Sequence, residues 1–219
     1  MLILFDLDGT LLDTSEAHAY AAQRALRSHG QASDAASVHR FLVAHDAASA
    51  DIEEAVYFAV WREMQRLYRK ALHTVQPFPG APAALHTLTR AGHRLGVVTS
   101  KRRWAVEREL AQTGLHAAFE VVVCRDDTQQ HKPHPQPLLL AQSRLAMRGG
   151  AYLGDQETDV VAARAAGMLP LGAGWGWSGS GALLAAGAAV VLQDFCELEG
   201  ALHLAVDAAA SEDVGEPAV

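Results

Sequence analysis

The chain has 219 residues, of which 50% are hydrophobic, and a formal net charge of -7 at pH 7. This length allows one large domain, or one domain with an insertion, and the acidic balance argues against nonspecific nucleic-acid binding, which needs a basic surface. The two cysteines, Cys124 and Cys196, match neither a metal-ligand spacing nor a disulfide framework. The N-terminal apolar stretch contains Asp6, and no run of about 18 apolar residues occurs, so we expect a cytoplasmic protein without a signal peptide or membrane span.

A short apolar run, Met1–Phe5, opens the chain and leads directly into the sequence DLDGT at 6–10. Such a run predicts a strand buried on both faces, and the alternation of side chains along it places Asp6 and Asp8 on the same side. Two carboxylates at the end of a buried strand repel each other and are costly to desolvate. The segment is therefore either a site balanced by a divalent cation or simply a turn after a strand.

The next part of the chain has only helical signals. A helix is predicted over 15–29, and apolar residues recur at helical spacing from about 34 to 73. The sequence PFPG at 77–80 ends this region. We therefore expect an all-helical insertion.

From residue 81 onward, predicted helices and strands alternate. The helices are predicted over 81–91, 103–113, 136–147, 157–166, near 180–187 and over 195–207, and the strands over 94–99, 119–124, 151–153, 168–172 and 188–192. Alternation of this kind indicates βαβ units and a parallel sheet. We therefore expect an α/β fold, with a Rossmann-like parallel sheet core, helices on both of its faces, and an inserted all-helical domain. Ligands of such sheets bind at the carboxyl ends of the strands.

Hydroxyl groups follow the strand predicted over 94–99, in the sequence Thr99-Ser100-Lys101. Serine and threonine are favoured at helix N-caps, which is one explanation for them. The other is that a hydroxyl and the backbone N–H groups at the start of a helix bind an anion.

Lys132 is one of only three lysines in the chain and stands ahead of a predicted helix. The nearby Pro133 and Pro135 stiffen the backbone and restrict where the ammonium group points. Lys132 is either a solvated loop residue or a point charge held near carboxylates and a phosphate.

Asp155 follows the strand predicted over 151–153, and Asp159 lies one helical turn later on the same side. Acidic residues are favoured by the dipole at a helix N-terminus, which explains Glu157 well. That explanation is weaker for Asp155 and Asp159, which are also candidates for a metal site.

Together these motifs read DxDGT, TS, KP and GDxxxD, each after a successive strand. This ordered set resembles the haloacid dehalogenase superfamily of phosphatases, and the resemblance covers residues 1–195. The segments 97–102 and 126–135 are similar to those of phosphoglycolate phosphatases and the related bacterial inorganic pyrophosphatases.

The resemblance implies a division of the chain into domains. A Rossmann-like phosphatase core is expected over 1–14 and 80–207, and a helical cap of the superfamily's C1 type over 15–79. The acidic, small-residue-rich end of the chain, 208–219, is expected to be a disordered tail.

The resemblance also implies catalytic roles. Asp6 is expected to attack phosphorus and become an aspartyl phosphate. Asp8 is expected to protonate the leaving oxygen and then to activate water. Thr99 and Lys132 are expected to bind the phosphoryl oxygens.

The implied cofactor is Mg²⁺. Its expected ligands are the Asp6 carboxylate, the Asp8 main-chain carbonyl and Asp155, with Asp159 in a supporting position. A metal there offsets the repulsion between an anionic nucleophile and an anionic phosphate.

Five further residues are expected to bind substrate by the same resemblance: Gly9, Thr10, Ser100, His18 and His45. For His18 the alternative is an exposed helix residue. The glycine usual in the cap's substrate loop is missing around His45, which argues against phosphoglycolate specificity. His45 then either shapes a different pocket or lies in a helical loop.

The expected function is a Mg²⁺-dependent phosphatase that acts on a small phosphorylated metabolite, similar to phosphoglycolate phosphatase. An inorganic pyrophosphatase and a sugar phosphomutase remain alternatives, as does an inactive protein that kept the fold for binding. A fourth alternative is a dinucleotide-binding protein, because 174–179 matches GxGxxG after a strand and Asp194 lies where an acid meets a ribose. We expect no nucleic-acid or membrane partner, and a monomer or homodimer.

Overall fold

The structure is a computed structural model that describes residues 1–44 and 46–203. Its internal contacts divide the chain into two compact units. The first unit consists of Met1–Leu12 together with the chain from Pro77 onward, and the second is Asp13–Gln76. The predictions for His45 and for the tail 208–219 lie outside the described residues.

The strands and helices follow each other largely as the periodicity predicts. The strands are β1 (Leu2–Phe5), β2 (Leu12–Asp13), β3 (Gln76–Pro77), β4 (Arg94–Val98), β5 (Val121–Val123), β6 (Ala151–Gly154), β7 (Leu169–Ala173) and β8 (Val190–Leu192). The α-helices are α1 (Ser15–Ser28), α2 (Ala35–Val43), α3 (Ala47–Ala50), α4 (Glu54–Ala71), α5 (Ala81–Arg90), α6 (Arg103–Thr113), α7 (Gln136–Arg144), α8 (Glu157–Ala165) and α9 (Ser180–Ala186). Short 3-10 helices span Leu72–Thr74, His116–Ala118, Arg125–Asp127 and Phe195–Glu197, and residues 198–203 are α-helical.

The first unit is built on a six-stranded sheet in the order β5-β4-β1-β6-β7-β8. Neighbouring strands pair in parallel; for example, Leu4 of β1 lies beside Gly96 of β4 and Tyr152 of β6. Strand β1 therefore runs through the middle of the sheet, between β4 and β6. The predicted α/β fold with a parallel sheet is confirmed.

Both faces of the central strand are buried. Leu2 and Leu4 belong to a core cluster with residues of α7 and α8, such as Leu138 and Ala162. Because side chains alternate along a strand, Ile3 and Phe5 point to the opposite face, and they are fully buried as well. Both sheet faces are thus covered, as the uninterrupted apolar run at the N-terminus indicates.

The second unit is helical, as the sequence predicts. Helix α1 packs against α4, and small alanines of α1 allow the two helices to lie close together. Val60 and Met64 of α4 are completely buried. The aromatic rings of Phe41 and Tyr57 meet at a centroid distance of 5.5 Å and join α2 to α4. Within the described residues of the chain, no helix is both long and apolar enough to cross a bilayer.

Candidate active site

Three candidate residues lie directly after adjacent strands of the sheet. Asp6 follows β1, Thr99 follows β4, and Asp155 follows β6. Because β4, β1 and β6 are parallel neighbours, their carboxyl ends meet at one edge of the sheet, where ligands of such folds bind. Each of these residues is at most 5% exposed. The edge therefore gathers polar side chains in a largely buried environment.

Lys132 lies at the centre of this group. Its Nζ donates to Asp6 Oδ1 at 2.7 Å and to the Tyr152 hydroxyl at 3.0 Å, and it makes a short contact with Asp159 Oδ1. The side chains of Lys132 and Asp6 are each 6% exposed, and that of Asp159 is 3% exposed. Charged hydrogen bonds of this kind are the stronger ones in proteins. Lys132 is thus a buried point charge beside two carboxylates, and not a solvated loop residue.

The carboxylates of Asp6, Asp155 and Asp159 form a cluster of oxygen atoms. One oxygen from each lies within 4.8 Å of the others, and all three residues are buried. Within the described residues, this is the group of acidic, histidine or cysteine side chains that could hold a metal ion. Hard divalent cations such as Mg²⁺ prefer carboxylate oxygens, so the donor set fits the expected cofactor. The expected fourth ligand, the Asp8 main-chain carbonyl, is not part of this side-chain cluster.

The cluster perturbs the ionisation of its members. Burial, with the nearby Asp159 charge, raises the pKa of Asp6 to about 7, although Lys132 acts in the opposite direction. Burial and the charges of Asp6 and Asp159 raise the pKa of Asp155 to about 8. Burial disfavours the charge on Lys132, but Asp159 and Asp6 outweigh it and hold the pKa of Lys132 well above its usual value. Without a cation, the charged forms of the Asp6 and Asp155 carboxyl groups are therefore disfavoured.

Tyr152, which the sequence analysis did not single out, supports this group from β6. Its hydroxyl donates to the Val98 carbonyl at 2.9 Å, accepts from Lys132, and lies 3.2 Å from Asp159 Oδ1. The ring is 1% exposed. Buried tyrosine hydroxyls usually find partners. The sequence signal for Tyr152 as a site residue was therefore a lone tyrosine in an otherwise apolar strand.

The glycine-rich loop 174–179 holds Asp155 from the other side. The backbone N–H of Trp177 donates to Asp155 Oδ2 at 2.8 Å, and that of Ser178 donates to the Asp155 carbonyl at 3.2 Å. Thr10 Oγ1 donates to Asp155 Oδ1 at 3.4 Å. One of these N–H groups is therefore bound by the Asp155 carboxylate and the other by the Asp155 backbone carbonyl, which weakens the interpretation of GxGxxG as a dinucleotide-binding turn.

Two glycines are required where this loop meets the DGT turn. A Cβ on Gly176 would lie 2.2 Å from the Asp155 Cβ and 2.6 Å from the Gly9 carbonyl oxygen. A Cβ on Gly9 would lie 2.3 Å from Asp155 Oδ2, and the Gly9 φ of +75° is in the left-handed region. The Trp175 indole N–H donates to the Thr10 carbonyl at 3.0 Å and ties the same loop to the turn.

Asp8 has different partners from Asp6. Lys101 Nζ donates to Asp8 Oδ1 at 2.6 Å and to both carboxylate oxygens of Glu109, at 2.7 and 2.9 Å. The Glu109 side chain is fully buried and that of Lys101 is 11% exposed. Neither residue was expected at the site from the sequence. The signal for Glu109 was its place among the apolar positions of α6, beside Val106 and Leu110, where a glutamate is out of pattern.

The hydroxyls of Thr99 and Ser100 do not cap the next helix. Helix α6 has Arg102 at its N-cap, without a side-chain cap bond. Thr99 Oγ1 instead accepts from the Lys101 N–H at 3.2 Å, and Ser100 is exposed. The N-cap interpretation is therefore wrong, because the chain makes another two residues of loop before α6 begins. Thr99 remains at the strand end, where a phosphate-binding hydroxyl is expected.

His18 belongs to the second unit. Its Nδ1 lies 2.9 Å from the Thr14 carbonyl oxygen, and its ring packs on Tyr68 at a centroid distance of 4.5 Å. Its expected role in substrate binding stays a prediction, as does that of His45, which lies outside the described residues.

Known proteins match most of this chain. Residues 3–173 match the family described as haloacid dehalogenase-like hydrolase. A Dickeya dadantii protein named "Probable phosphatase IndB" is 32% identical over 92% of this chain and 93% of that protein. A phosphoglycolate phosphatase from Xanthomonas campestris is 34% identical over 80% of this chain and 83% of that enzyme. The pyrophosphatase PpaX of Bacillus pumilus is 34% identical over 83% of this chain and 86% of the relative.

Solved structures share the fold. A haloacid dehalogenase-like hydrolase from Streptococcus pneumoniae superposes with a TM-score of 0.81, at 21% identity, over 91% of this chain and 96% of the other.

Proposed function

The chain belongs to the family of haloacid dehalogenase-like hydrolases and is a hydrolase of its phosphatase class. From this premise we propose that it hydrolyses a small phosphorylated metabolite in a Mg²⁺-dependent reaction that proceeds through an aspartyl phosphate on Asp6. The observation that carries the proposal is the buried group in which Lys132 contacts both Asp6 and Asp159, with Asp155 beside them. A phosphatase needs a nucleophile, a cation for the phosphate and an acidic metal site in one place.

Mg²⁺ suits this cluster because all the side-chain donors are carboxylates. Asp6, Asp155 and Asp159 would hold the ion, together with the Asp8 main-chain carbonyl. When bound, it supplies positive charge that lowers the repulsion between an anionic nucleophile and an anionic phosphate. The raised pKa values of Asp6 and Asp155 support the fit, because burial and neighbouring carboxylates disfavour their charged forms, which a bound cation would favour.

Asp6 is the proposed nucleophile. It stands at the end of the central strand, and its backbone N–H donates to the Leu153 carbonyl at 2.9 Å, which fixes the main chain. A carboxylate oxygen of Asp6 attacks phosphorus, and the bond between phosphorus and the leaving oxygen breaks. Lys132 holds Asp6 Oδ1 from the side and, together with Thr99 at the neighbouring strand end, stabilises the charge on the transferring phosphoryl oxygens.

Asp8 is the proposed acid and base. It gives its proton to the leaving oxygen as the aspartyl phosphate forms. In the second half of the reaction its carboxylate takes a proton from water, whose oxygen attacks phosphorus and releases Asp6. The Asp8 side chain is 22% exposed, more than that of Asp6, which suits a group that exchanges protons with substrate and water.

The proposed leaving group is small, and two classes of substrate are candidates. A phosphate monoester such as phosphoglycolate is supported by relatives named phosphoglycolate phosphatase. Inorganic pyrophosphate is the second candidate, supported by the pyrophosphatase PpaX, which is 34% identical to this chain. Phosphoglycolate itself is the weaker candidate among monoesters, because the glycine usual in the cap's substrate loop is missing around residue 45.

The test is phosphate release with Mg²⁺ from a panel of p-nitrophenyl phosphate, phosphoglycolate, pyrophosphate, sugar phosphates and nucleotides. Asp6→Asn is expected to abolish release. Asp51→Asn makes the same chemical change at a side chain that is 88% exposed, and is expected to retain it. The best substrate decides between monoester and pyrophosphate. Release that persists in Asp6→Asn would refute the mechanism, and transfer of phosphate between sugar hydroxyls would identify a mutase.

A further inference from the structure

A second buried ion pair lies beside the site, between the loop after β4 and helix α6. Lys101 Nζ contacts Glu109 Oε1 at 2.7 Å and Oε2 at 2.9 Å, so both carboxylate oxygens face the ammonium group. The same Nζ contacts Asp8 Oδ1 at 2.6 Å. The three side chains therefore form a chain of contacts from the interior of the first unit to Asp8.

The three side chains differ in burial, and Glu109 is the most buried of them. Its side chain has no exposed area, whereas that of Lys101 is 11% exposed and that of Asp8 is 22% exposed. A buried carboxylate is strongly unfavourable unless a cation pairs with it. Glu109 therefore fixes the Lys101 ammonium in place, and the ammonium in turn reaches outward to Asp8. A lysine on a solvated loop would otherwise lose much rotamer freedom to stay in one position.

We propose that Lys101, anchored by Glu109, is a positioning residue that holds the Asp8 carboxyl group in the orientation needed for proton transfer to the leaving oxygen. This inference rests on the proposed function of Asp8. Neither Lys101 nor Glu109 touches the reacting atoms in this account. Both act through Asp8.

The chemistry follows from which oxygen is held. In the proposed step Oδ2 carries the proton, because the Lys101 ammonium donates to Oδ1 and disfavours a proton there. That proton passes to the leaving oxygen while its bond to phosphorus breaks and the Asp6–phosphorus bond forms. The negative charge left on Asp8 develops next to the Lys101 ammonium, which stabilises it. No other reactant is needed for this step.

The contribution of a well-positioned Asp8 to kcat/KM is expected to depend on the leaving group. An acid matters most when the leaving oxygen is basic, and little when it departs readily as an anion. We therefore measure kcat/KM, which reports steps up to the departure of the leaving group, for phenyl, p-chlorophenyl and p-nitrophenyl phosphates and for an alkyl phosphate. The wild-type series shows first whether the protein hydrolyses phosphate monoesters of this kind.

Three variants test the pair against a matched control. Lys101→Met removes the cation, and Glu109→Gln removes the charge of the carboxylate that anchors it. The double variant, Lys101→Met with Glu109→Leu, removes both charges, so that neither charge of the pair stays buried alone. Glu107→Gln is the control, since it makes the same change on the same helix at a side chain that is 63% exposed.

For each test variant we expect kcat/KM on the alkyl phosphate to fall about 10- to 100-fold, because general acid catalysis as a whole contributes about 100- to 10,000-fold. On p-nitrophenyl phosphate we expect a loss of less than about 3-fold, since that step needs little of the acid's contribution. The double variant is expected to lose no more than Lys101→Met, as both residues act through one contact. Glu107→Gln is expected to match the wild type on every substrate.

The outcomes separate two failures. If the wild type hydrolyses the series but the variants lose the same factor on every leaving group, or lose only thermal stability, the positioning role is refuted and the pair is structural. If the wild type hydrolyses none of the series or the panel above, the proposed function itself fails. The double variant keeps the test valid if either single variant does not fold, because it contains no unpaired buried charge.

Discussion

The acidic cluster makes the stability of the cation-free protein depend on pH. Burial and mutual repulsion raise the pKa of Asp6 to about 7 and that of Asp155 to about 8, against 3.8 for an ordinary aspartate. The folded state therefore binds protons that the unfolded state has already lost. For an acid whose pKa is raised by folding, the stabilisation is complete below the unfolded pKa and disappears as pH rises through the folded values.

The size of the effect follows from these values. Between pH 7 and pH 8.5 the loss of protons from these two carboxyl groups lowers the free energy of unfolding by roughly 1 to 2 kcal/mol. For a protein of this length that corresponds to a fall in Tm of about 3 to 6 °C.

The assay is thermal and urea unfolding, followed by tryptophan fluorescence, with EDTA at pH 7, 7.5, 8 and 8.5. Asp155→Asn is expected to remove most of the decline, because it deletes the group with the higher pKa. Asp51→Asn, at an exposed position, is expected to retain it. Adding Mg²⁺ should remove the decline in the wild type, since the cation replaces the protons. Stability that stays constant or rises with pH in EDTA would refute this account of the cluster.

Three more outcomes are expected. Gly176→Ala should weaken Mg²⁺ binding, titrated by tryptophan fluorescence, at least about 10-fold, because the new Cβ displaces Asp155; Gly181→Ala, where a Cβ meets nothing within 4 Å, is the control. Tyr152→Phe should lower stability by about 1 to 3 kcal/mol in urea unfolding and reduce kcat, since Lys132 loses a partner; an unchanged kcat would contradict its supporting role. Ca²⁺ in place of Mg²⁺ should inhibit phosphate release, because it prefers more ligands and looser geometry; equal rates would count against the site.

The sheet and the strand-end residues could be predicted from the sequence because their signals are local. The buried run Leu2–Phe5 and the later alternation of helices and strands require a parallel sheet, and Asp6 and Asp155 follow strands directly. Parallel pairing then brings such residues together without further information. The first and last of the four sequence motifs meet in this way, because β1 and β6 are parallel neighbours.

The partners of those residues could not be predicted, because they depend on which side chains face each other across the core. Glu109 and Tyr152 stand in otherwise apolar patterns, and only their tertiary contacts with Lys101 and Lys132 explain them. A helix N-cap was one explanation for the hydroxyls after β4, but the N-cap residue of α6 is Arg102. The domain boundaries and the role of the helical unit as a cap stay predictions.

The central claim is the aspartyl phosphate on Asp6, and trapping it is the most direct test. The protein would be mixed with a phosphorus-labelled substrate from the panel and Mg²⁺, quenched in acid within one turnover, and digested for peptide mapping. The account predicts label on the peptide that contains Asp6, also in Asp51→Asn, and none in Asp6→Asn. Rapid release of labelled phosphate with no labelled peptide at any quench time, or label on another residue, would contradict it.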